Sequence, residues 1–69
     1  MLKISLRAAR INAGMTQKEV ADKLRKHKMT IAHWENGQTP VDMANFAAMC
    51  NLYGVPENCV IMPKKLANG

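Results

Sequence analysis

Apolar side chains recur along the chain at the spacing of α-helices, and no stretch alternates in the way of a strand. Within residues 2–13 they lie four, three and four positions apart, at Leu2, Leu6, Ala9 and Ala13. Gly14 follows where a helix needs a left-handed residue to end it. The pattern predicts a first helix over residues 2–13 with this face buried.

A capping box marks the start of the second helix. The Thr16 hydroxyl can accept the backbone N–H of Glu19, and the Glu19 carboxylate can reach back to the N–H of Thr16. Val20, Ala21 and Leu24 follow at helical spacing and point inward. We predict a second helix that ends at about Leu24.

A third helix is predicted from about Lys28 to Asn36, ended by Gly37. The residues Arg25-Lys26-His27 separate it from the second helix. One side of the predicted helix carries Thr30, Ile31 and Trp34, and the opposite side carries Lys28, Met29, Ala32 and His33. The first side is expected to pack on the core, which leaves the polar and cationic side exposed.

Two further helices are predicted in the rest of the chain. Thr39 would cap the fourth helix, with Pro40 in its first position. Its apolar arc comprises Met43, Phe46, Ala47, Met49, Cys50 and Tyr53. Gly54 would end it, and Leu52 is expected to face solvent or a partner. Pro56 begins a short fifth helix that Pro63 ends.

Five short helices with short connections predict a compact all-α domain over residues 1–63, with residues 64–69 as a flexible tail. The 69 residues leave room for one domain, and the three aromatic residues imply an aliphatic core. No apolar stretch is long enough to cross a membrane, and cations interrupt the first fifteen residues. We therefore expect a cytoplasmic protein with reduced cysteines.

Charge is divided unevenly along the chain. Residues 1–28 hold eight of the ten basic residues and two acids, whereas residues 29–63 hold three acids and no Lys or Arg. Lys64 and Lys65 bring the net charge to +5. The first half suits a polyanion, and the second suits a protein partner. From charge alone, a merely solvated basic surface is an equally good interpretation.

Several motifs occur together at a specific spacing. They are Gly14-Met15-Thr16-Gln17, Val20-Ala21, Leu24, Thr30-Ile31 and Trp34-Glu35-Asn36-Gly37. From about Leu6 to Val60, the chain resembles the Cro/repressor (XRE-type) helix-turn-helix family. The resemblance implies a λ-repressor-like DNA-binding domain, in which the second helix crosses the DNA backbone and the third enters the major groove.

The resemblance also implies roles for individual residues. Lys28, Met29 and His33 match base-reading positions, and Gln17 matches a residue that contacts phosphate or orients a base-reading side chain. Arg10 and Glu35 match two residues that often form a partly buried ion pair in this family.

Further contacts with the DNA backbone are expected around these positions. Backbone N–H groups near Asn36, Gly37 and Gln38 match a turn that grips phosphate. The cations expected at phosphates, which supply affinity without reading sequence, are Arg7, Lys18, Arg25 and Lys26. We also count Arg10 among the DNA-binding residues.

The predicted turn departs from the family pattern. The family usually has Gly-Val where this chain has Arg25-Lys26, and Ser or Thr at the position of His27. Arg25 must either adopt φ > 0 or reshape the turn, at a cost of about 1 kcal/mol. Lys26 must extend outward.

Other chemistry has little support. The soft metal ligands are His27, His33, Cys50 and Cys59, and the two cysteines lie nine apart, which is not a zinc spacing. No catalytic constellation is present, so we expect no enzyme, cofactor, metal or small-molecule substrate.

Three functions remain open. The first is a sequence-specific regulator of transcription that binds double-stranded DNA as a weak homodimer, most simply a repressor. The second is an antitoxin-like or other protein-binding module that uses the face of helices four and five. The third is a basic RNA-binding module, against which the shortage of aromatic residues counts.

Overall fold

The structure, a computed structural model, describes residues 2–63 and is mostly helical. Its elements are β1 (Ile4–Ser5), α1 (Leu6–Asn12), α2 (Gln17–Leu24), α3 (Lys28–Glu35), α4 (Met43–Tyr53), a 3-10 turn (Glu57–Cys59) and β2 (Val60–Ile61). The second and third helices are confirmed almost to the residue. The predicted tail over residues 64–69 lies outside the described residues.

The first helix is shorter than predicted because residues 4–5 form a strand. Ile4 pairs with Val60 and Ser5 with Ile61, in a two-stranded parallel sheet. The Ser5 hydroxyl accepts the N–H of Ala8 at 3.0 Å and so caps α1. Leu2 lies beyond the helix and is 92% exposed. The prediction of no sheet is wrong because the two strands come from opposite ends of the described chain, where no local pattern links them.

The predicted fifth helix is also wrong. Pro56 precedes a single 3-10 turn, in which the N–H of Cys59 donates to the carbonyl of Pro56 at 3.0 Å. The chain then extends, because β2 pairs with β1 and buries Val60 in the core. Strand pairing and burial therefore replace the helix that the sequence pattern indicated.

The fourth helix begins later than predicted. Thr39 and Pro40 lie outside it, Val41 is buried, and the extended residue Asp42 precedes its first turn. Two predicted orientations are corrected as well. Met43 is 63% exposed, and Leu52 is half-buried and packs against the core. Because Val41 is buried outside the helix and Asp42 is extended, α4 begins only at Met43.

One aliphatic core lies between the helices and the strand pair. It contains all three aromatic side chains and most of the aliphatic residues predicted for it, but not Leu2 or Ala13, which are exposed. Its buried members are Leu6, Ala9, Val20, Ala21, Ile31, Trp34, Val41, Phe46, Met49, Cys50, Tyr53 and Val60. Leu24 is half-buried and packs against this cluster. Within residues 2–63, no helix has the length and apolar character needed to cross a bilayer.

Candidate nucleic-acid interface

The predicted capping box fixes the start of α2. The Thr16 hydroxyl accepts the N–H of Glu19 at 3.1 Å, and the Glu19 carboxylate accepts the N–H of Thr16 at 2.8 Å. The hydrogen bond from the backbone N–H of Thr16 to this carboxylate lowers the pKa of Glu19. Gln17 and Lys18 occupy the first two positions of the helix, where the helix dipole favours negative charge. The first turn of α2 therefore lies at the protein surface, where Thr16, Gln17 and Lys18 line a groove.

A basic groove opens beside this helix start. It has a volume of about 350 Å³ and is lined by Arg7, Arg10, Met15, Thr16, Gln17, Lys18 and Lys28. Its lining includes four cations and no carboxylate. Lys18 does have an acidic neighbour, because its ammonium lies 3.3 Å from Asp22 in an exposed pair. The groove thus concentrates positive charge at the helix N-terminus, an arrangement that favours a phosphate.

The turn between α2 and α3 contains a left-handed residue that is not glycine. Arg25 adopts the left-handed conformation, with φ 56° and ψ 47°. Of the two possibilities that the sequence left open, positive φ is therefore the one observed. The N–H of Lys26 donates to the carbonyl of Ala21 at 2.8 Å, and the Lys26 side chain is exposed, as predicted. His27 precedes α3 but its side chain makes no capping hydrogen bond. The third helix nevertheless begins at Lys28, the predicted residue.

The two faces of α3 are separated as predicted. Ile31 and Trp34 are buried and hold the helix on the core. Lys28 is exposed, Met29 is 64% exposed, and His33 is half-buried. Because α3 is anchored on one side only, its opposite face is free to meet a large ligand.

A second groove runs along this outer face of α3. It has a volume of about 430 Å³ and is lined by Gln17, His27, Lys28, Met29 and Ala32. Met29 and Ala32 give it an apolar floor beside a cation. Gln17 and Lys28 also line the basic groove, so the two grooves form one continuous surface.

The predicted ion pair between Arg10 and Glu35 is present. Arg10 Nε lies 2.6 Å from Glu35 Oε2, and Arg10 Nη2 lies 3.2 Å from Oε1. The third guanidinium nitrogen, Nη1, donates to the carbonyl of Met15 at 2.9 Å. The Glu35 side chain is only 3% exposed. The hydrogen bonds with Glu35 raise the pKa of the Arg10 guanidinium, whereas burial lowers it.

Arg10 is therefore placed differently from the other cations predicted to bind DNA. It lines the basic groove, but all three of its side-chain nitrogens donate to acceptors within the protein. It joins α1 to the end of α3 and to the loop before α2.

One contact of this cluster has no signal in the sequence. Gln17 Nε2 donates to Glu35 Oε1 at 3.0 Å, so the carboxylate holds the first residue of α2 as well. Gln17 and Glu35 lie on different helices, and no periodicity links them. The family resemblance assigned a role to each residue separately and gave no sign of the bond between them.

The backbone of the turn after α3 makes hydrogen bonds within the protein. The N–H of Asn36 donates to Ala32 at 3.1 Å, and that of Gln38 donates to the carbonyl of His33 and to Asn36 Oδ1, both at 3.0 Å. Gly37 has φ 80° and is buried; its N–H faces the carbonyl of Trp34 at 3.4 Å. The backbone N–H groups expected to grip phosphate are thus used within the protein. The exposed side chains of Asn36 and Gln38 remain available for such a contact.

The sequence matches a known protein family over most of its length. A helix-turn-helix family model matches residues 6–58, from the start of α1 into the 3-10 turn. The chain belongs to the Cro/repressor (XRE-type) helix-turn-helix family. A search of the curated proteins gave no match. Members of this family bind DNA and are typically not enzymes.

Family membership identifies α2 and α3 as the helix-turn-helix itself. The resemblance found in the sequence is thereby confirmed. The predicted λ-repressor-like fold is confirmed for four helices and a 3-10 turn, and not for five helices. The two grooves lie on this helix-turn-helix, so the family and the geometry point to the same face.

Proposed function

We propose that the protein is a sequence-specific regulator of transcription, acting as a repressor, that inserts α3 into the major groove of double-stranded DNA. The observation that carries the proposal is the continuity of the exposed face of α3 with the basic groove at the start of α2. An α-helix fits the major groove, where each base pair shows a distinct pattern of donors and acceptors.

The cations around α3 supply affinity in this proposal. Arg7, Lys18, Arg25 and Lys26 are all exposed and flank the helix-turn-helix. Such side chains neutralise phosphates and release counterions, whatever the base sequence. The first turn of α2 and the exposed side chains of Asn36 and Gln38 would add polar contacts to the same backbone.

Four side chains of α3 would contact bases. Lys28 and His33 can reach guanine O6 and N7, which are acceptors in the major groove. The groove floor formed by Met29 and Ala32 is apolar and suits the 5-methyl group of thymine. Gln17 lies at the junction of the two grooves and would bridge the phosphate contacts and the base contacts.

A weak homodimer is part of the proposal. Two copies related by a twofold axis would place their α3 helices in successive major grooves, one helical turn apart. The segment 39–63, which follows α3 and its turn, has no Lys or Arg and exposes Met43 and Ile61, so association through it avoids the basic face. If binding to an isolated half-site is as tight as binding to the symmetric site, the dimer is excluded.

The alternative, an antitoxin-like protein-binding module, rests on the same segment free of cations. It predicts a partner protein on α4 and the 3-10 turn, and no dependence on DNA sequence. The RNA-binding alternative is weaker, because Trp34, Phe46 and Tyr53 are all buried and offer no platform for stacking of bases.

Selection of duplexes from a randomised pool at physiological salt tests the proposal. We expect one symmetric motif to be enriched and to bind at least about a thousandfold more tightly than a scrambled duplex. Equal affinity for selected and scrambled duplexes would contradict sequence-specific binding and would favour the protein-binding alternative.

A further inference from the structure

The Glu35 carboxylate connects the three helices of the DNA-binding unit at one buried point. It accepts hydrogen bonds from Arg10 of α1 and from Gln17 at the start of α2, and it lies itself at the end of α3. Two of these contacts are the ion pair already described. The third, from Gln17, reaches a side chain that lines both grooves.

A carboxylate has no hydrogen to donate and can only accept hydrogen bonds. Gln17 must therefore turn its NH₂ group toward Glu35, because the opposite orientation would place two acceptor oxygens in contact. Its Oε1 atom then faces away from the carboxylate. Gln17 is left with one acceptor and one N–H, in a fixed arrangement, for a ligand in the grooves.

We propose that Glu35 is a positioning residue that sets which atoms Gln17 presents to DNA. A Gln side chain without such a partner can rotate its amide by half a turn and offer its donor and acceptor in either order. Glu35 removes that choice before binding. This inference rests on the proposed function for its consequence in DNA affinity, but the orientation itself exists in the free protein.

The orientation can be tested without DNA by NMR on the ¹⁵N-labelled protein. The side-chain amide of Gln38 is exposed and serves as the internal control. We expect the Gln17 amide protons to exchange with water several-fold more slowly than those of Gln38. Glu35→Gln should abolish this difference, whereas Arg10→Lys, which keeps a cation at the carboxylate, should preserve it. Equal exchange of Gln17 and Gln38 in the wild-type protein would overturn the proposal.

The consequence for binding is tested with the duplex selected from the randomised pool and its scrambled control. We expect Gln17→Ala and Glu35→Gln each to weaken binding to the selected duplex about tenfold. The double variant should be no weaker than Gln17→Ala alone, because Glu35 acts through Gln17. Thermal melts would confirm that each variant is folded at the assay temperature.

A double variant about a hundredfold weaker than wild type would show that Glu35 acts independently of Gln17, and would contradict the proposal. If no duplex is preferred over its scrambled control, the proposed function fails, while the exchange experiment still decides whether Glu35 orients Gln17. The two failures are therefore distinguishable.

Discussion

The helix-turn-helix unit (residues 6–38) and the rear segment (residues 39–63) are stabilised by different kinds of interaction. In the unit, a capping box starts α2, and the buried Arg10–Glu35 pair joins three elements. In the rear segment, Asp42 makes no side-chain capping bond to α4, and the buried hydroxyl of Tyr53 has no hydrogen-bond partner among the described residues. The rear segment is stabilised mainly by apolar burial and by the pairing of β2 with β1.

This difference follows what each region has to do. Hydrogen bonds and ion pairs have directional geometry, so they fix the relative positions of helices to a fraction of an ångström. Apolar contacts are not directional and tolerate small shifts. In the proposed function, these directional contacts are concentrated where side chains match base edges, whereas the rear segment needs only to cover the core.

Removal of one partner of the buried pair should have the largest effect on stability. Arg10→Met leaves the Glu35 carboxylate buried without its cation, so we expect a loss of about 3 kcal/mol in the free energy of unfolding. The double variant Arg10→Met/Glu35→Gln should lose less than the sum of the single losses. Urea denaturation of Arg10→Met, Glu35→Gln and the double variant measures the three free energies of unfolding.

The exposed pair Lys18–Asp22 provides a matched control for this prediction. Both of its side chains are largely in solvent, so Lys18→Met should cost less than about 0.5 kcal/mol. If Arg10→Met and Lys18→Met lower the free energy of unfolding equally, the helix-turn-helix unit does not depend on its buried pair. The contrast with the rear segment then disappears.

The crossing of α2 and α3 is the next test. Ala21 is buried where the two helices meet, and a leucine there would overpack the contact. We expect Ala21→Leu to cost roughly 1–3 kcal/mol in urea denaturation. Ala44, an exposed alanine of α4, is the control, and Ala44→Leu should change stability by less than about 0.5 kcal/mol. A stable Ala21→Leu variant would show that the helices do not pack closely at this residue.

The same contrast separates what the sequence predicts well from what it does not. The capping box and the buried side of α3 depend on neighbouring residues and are predicted correctly, whereas the sequence leaves two conformations open for the turn at Arg25. The pairing of Ile4 with Val60 joins distant segments, so the local helical pattern around each strand was misleading.

The candidate site divides in the same way. The Arg10–Glu35 pair was predicted from the family resemblance, whereas the bond from Gln17 to Glu35 depends on how three helices meet. The N–H groups after α3 were assigned to phosphate from the resemblance. Their actual partners are the carbonyls of α3 and the side chain of Asn36, which only the three-dimensional turn shows.

Two left-handed helix ends allow a smaller test. Gly54 ends α4 with φ 71°, whereas Arg25 ends α2 with φ 56° and a side chain. Glycine adopts this conformation without steric cost, so Arg25→Gly should stabilise the protein by about 1 kcal/mol. Arg25→Ala removes the same charge but keeps Cβ, and should give no such gain. Equal stability of the Gly and Ala variants would mean that the turn carries no strain at this residue.

The smallest effect is expected in the rear segment. Tyr53→Phe removes the buried hydroxyl that lacks a partner among the described residues, so the variant should be as stable as the wild type or up to about 1 kcal/mol more stable. Thermal denaturation in parallel with the Arg10→Met variant measures this. A marked loss of stability would show that the hydroxyl has an important partner, such as a bound water, and that the rear segment also relies on polar contacts.

The central claim is that α3 reads bases while the surrounding cations hold phosphates. A salt titration of His33→Ala and Lys26→Ala on selected and scrambled duplexes tests it most directly. His33→Ala should cost about 1–3 kcal/mol of binding free energy on the selected duplex and little on the scrambled one. Lys26→Ala should weaken both equally and reduce the salt dependence by about one phosphate contact. If His33→Ala weakens both duplexes equally, α3 does not read bases through this residue, and the claim is contradicted.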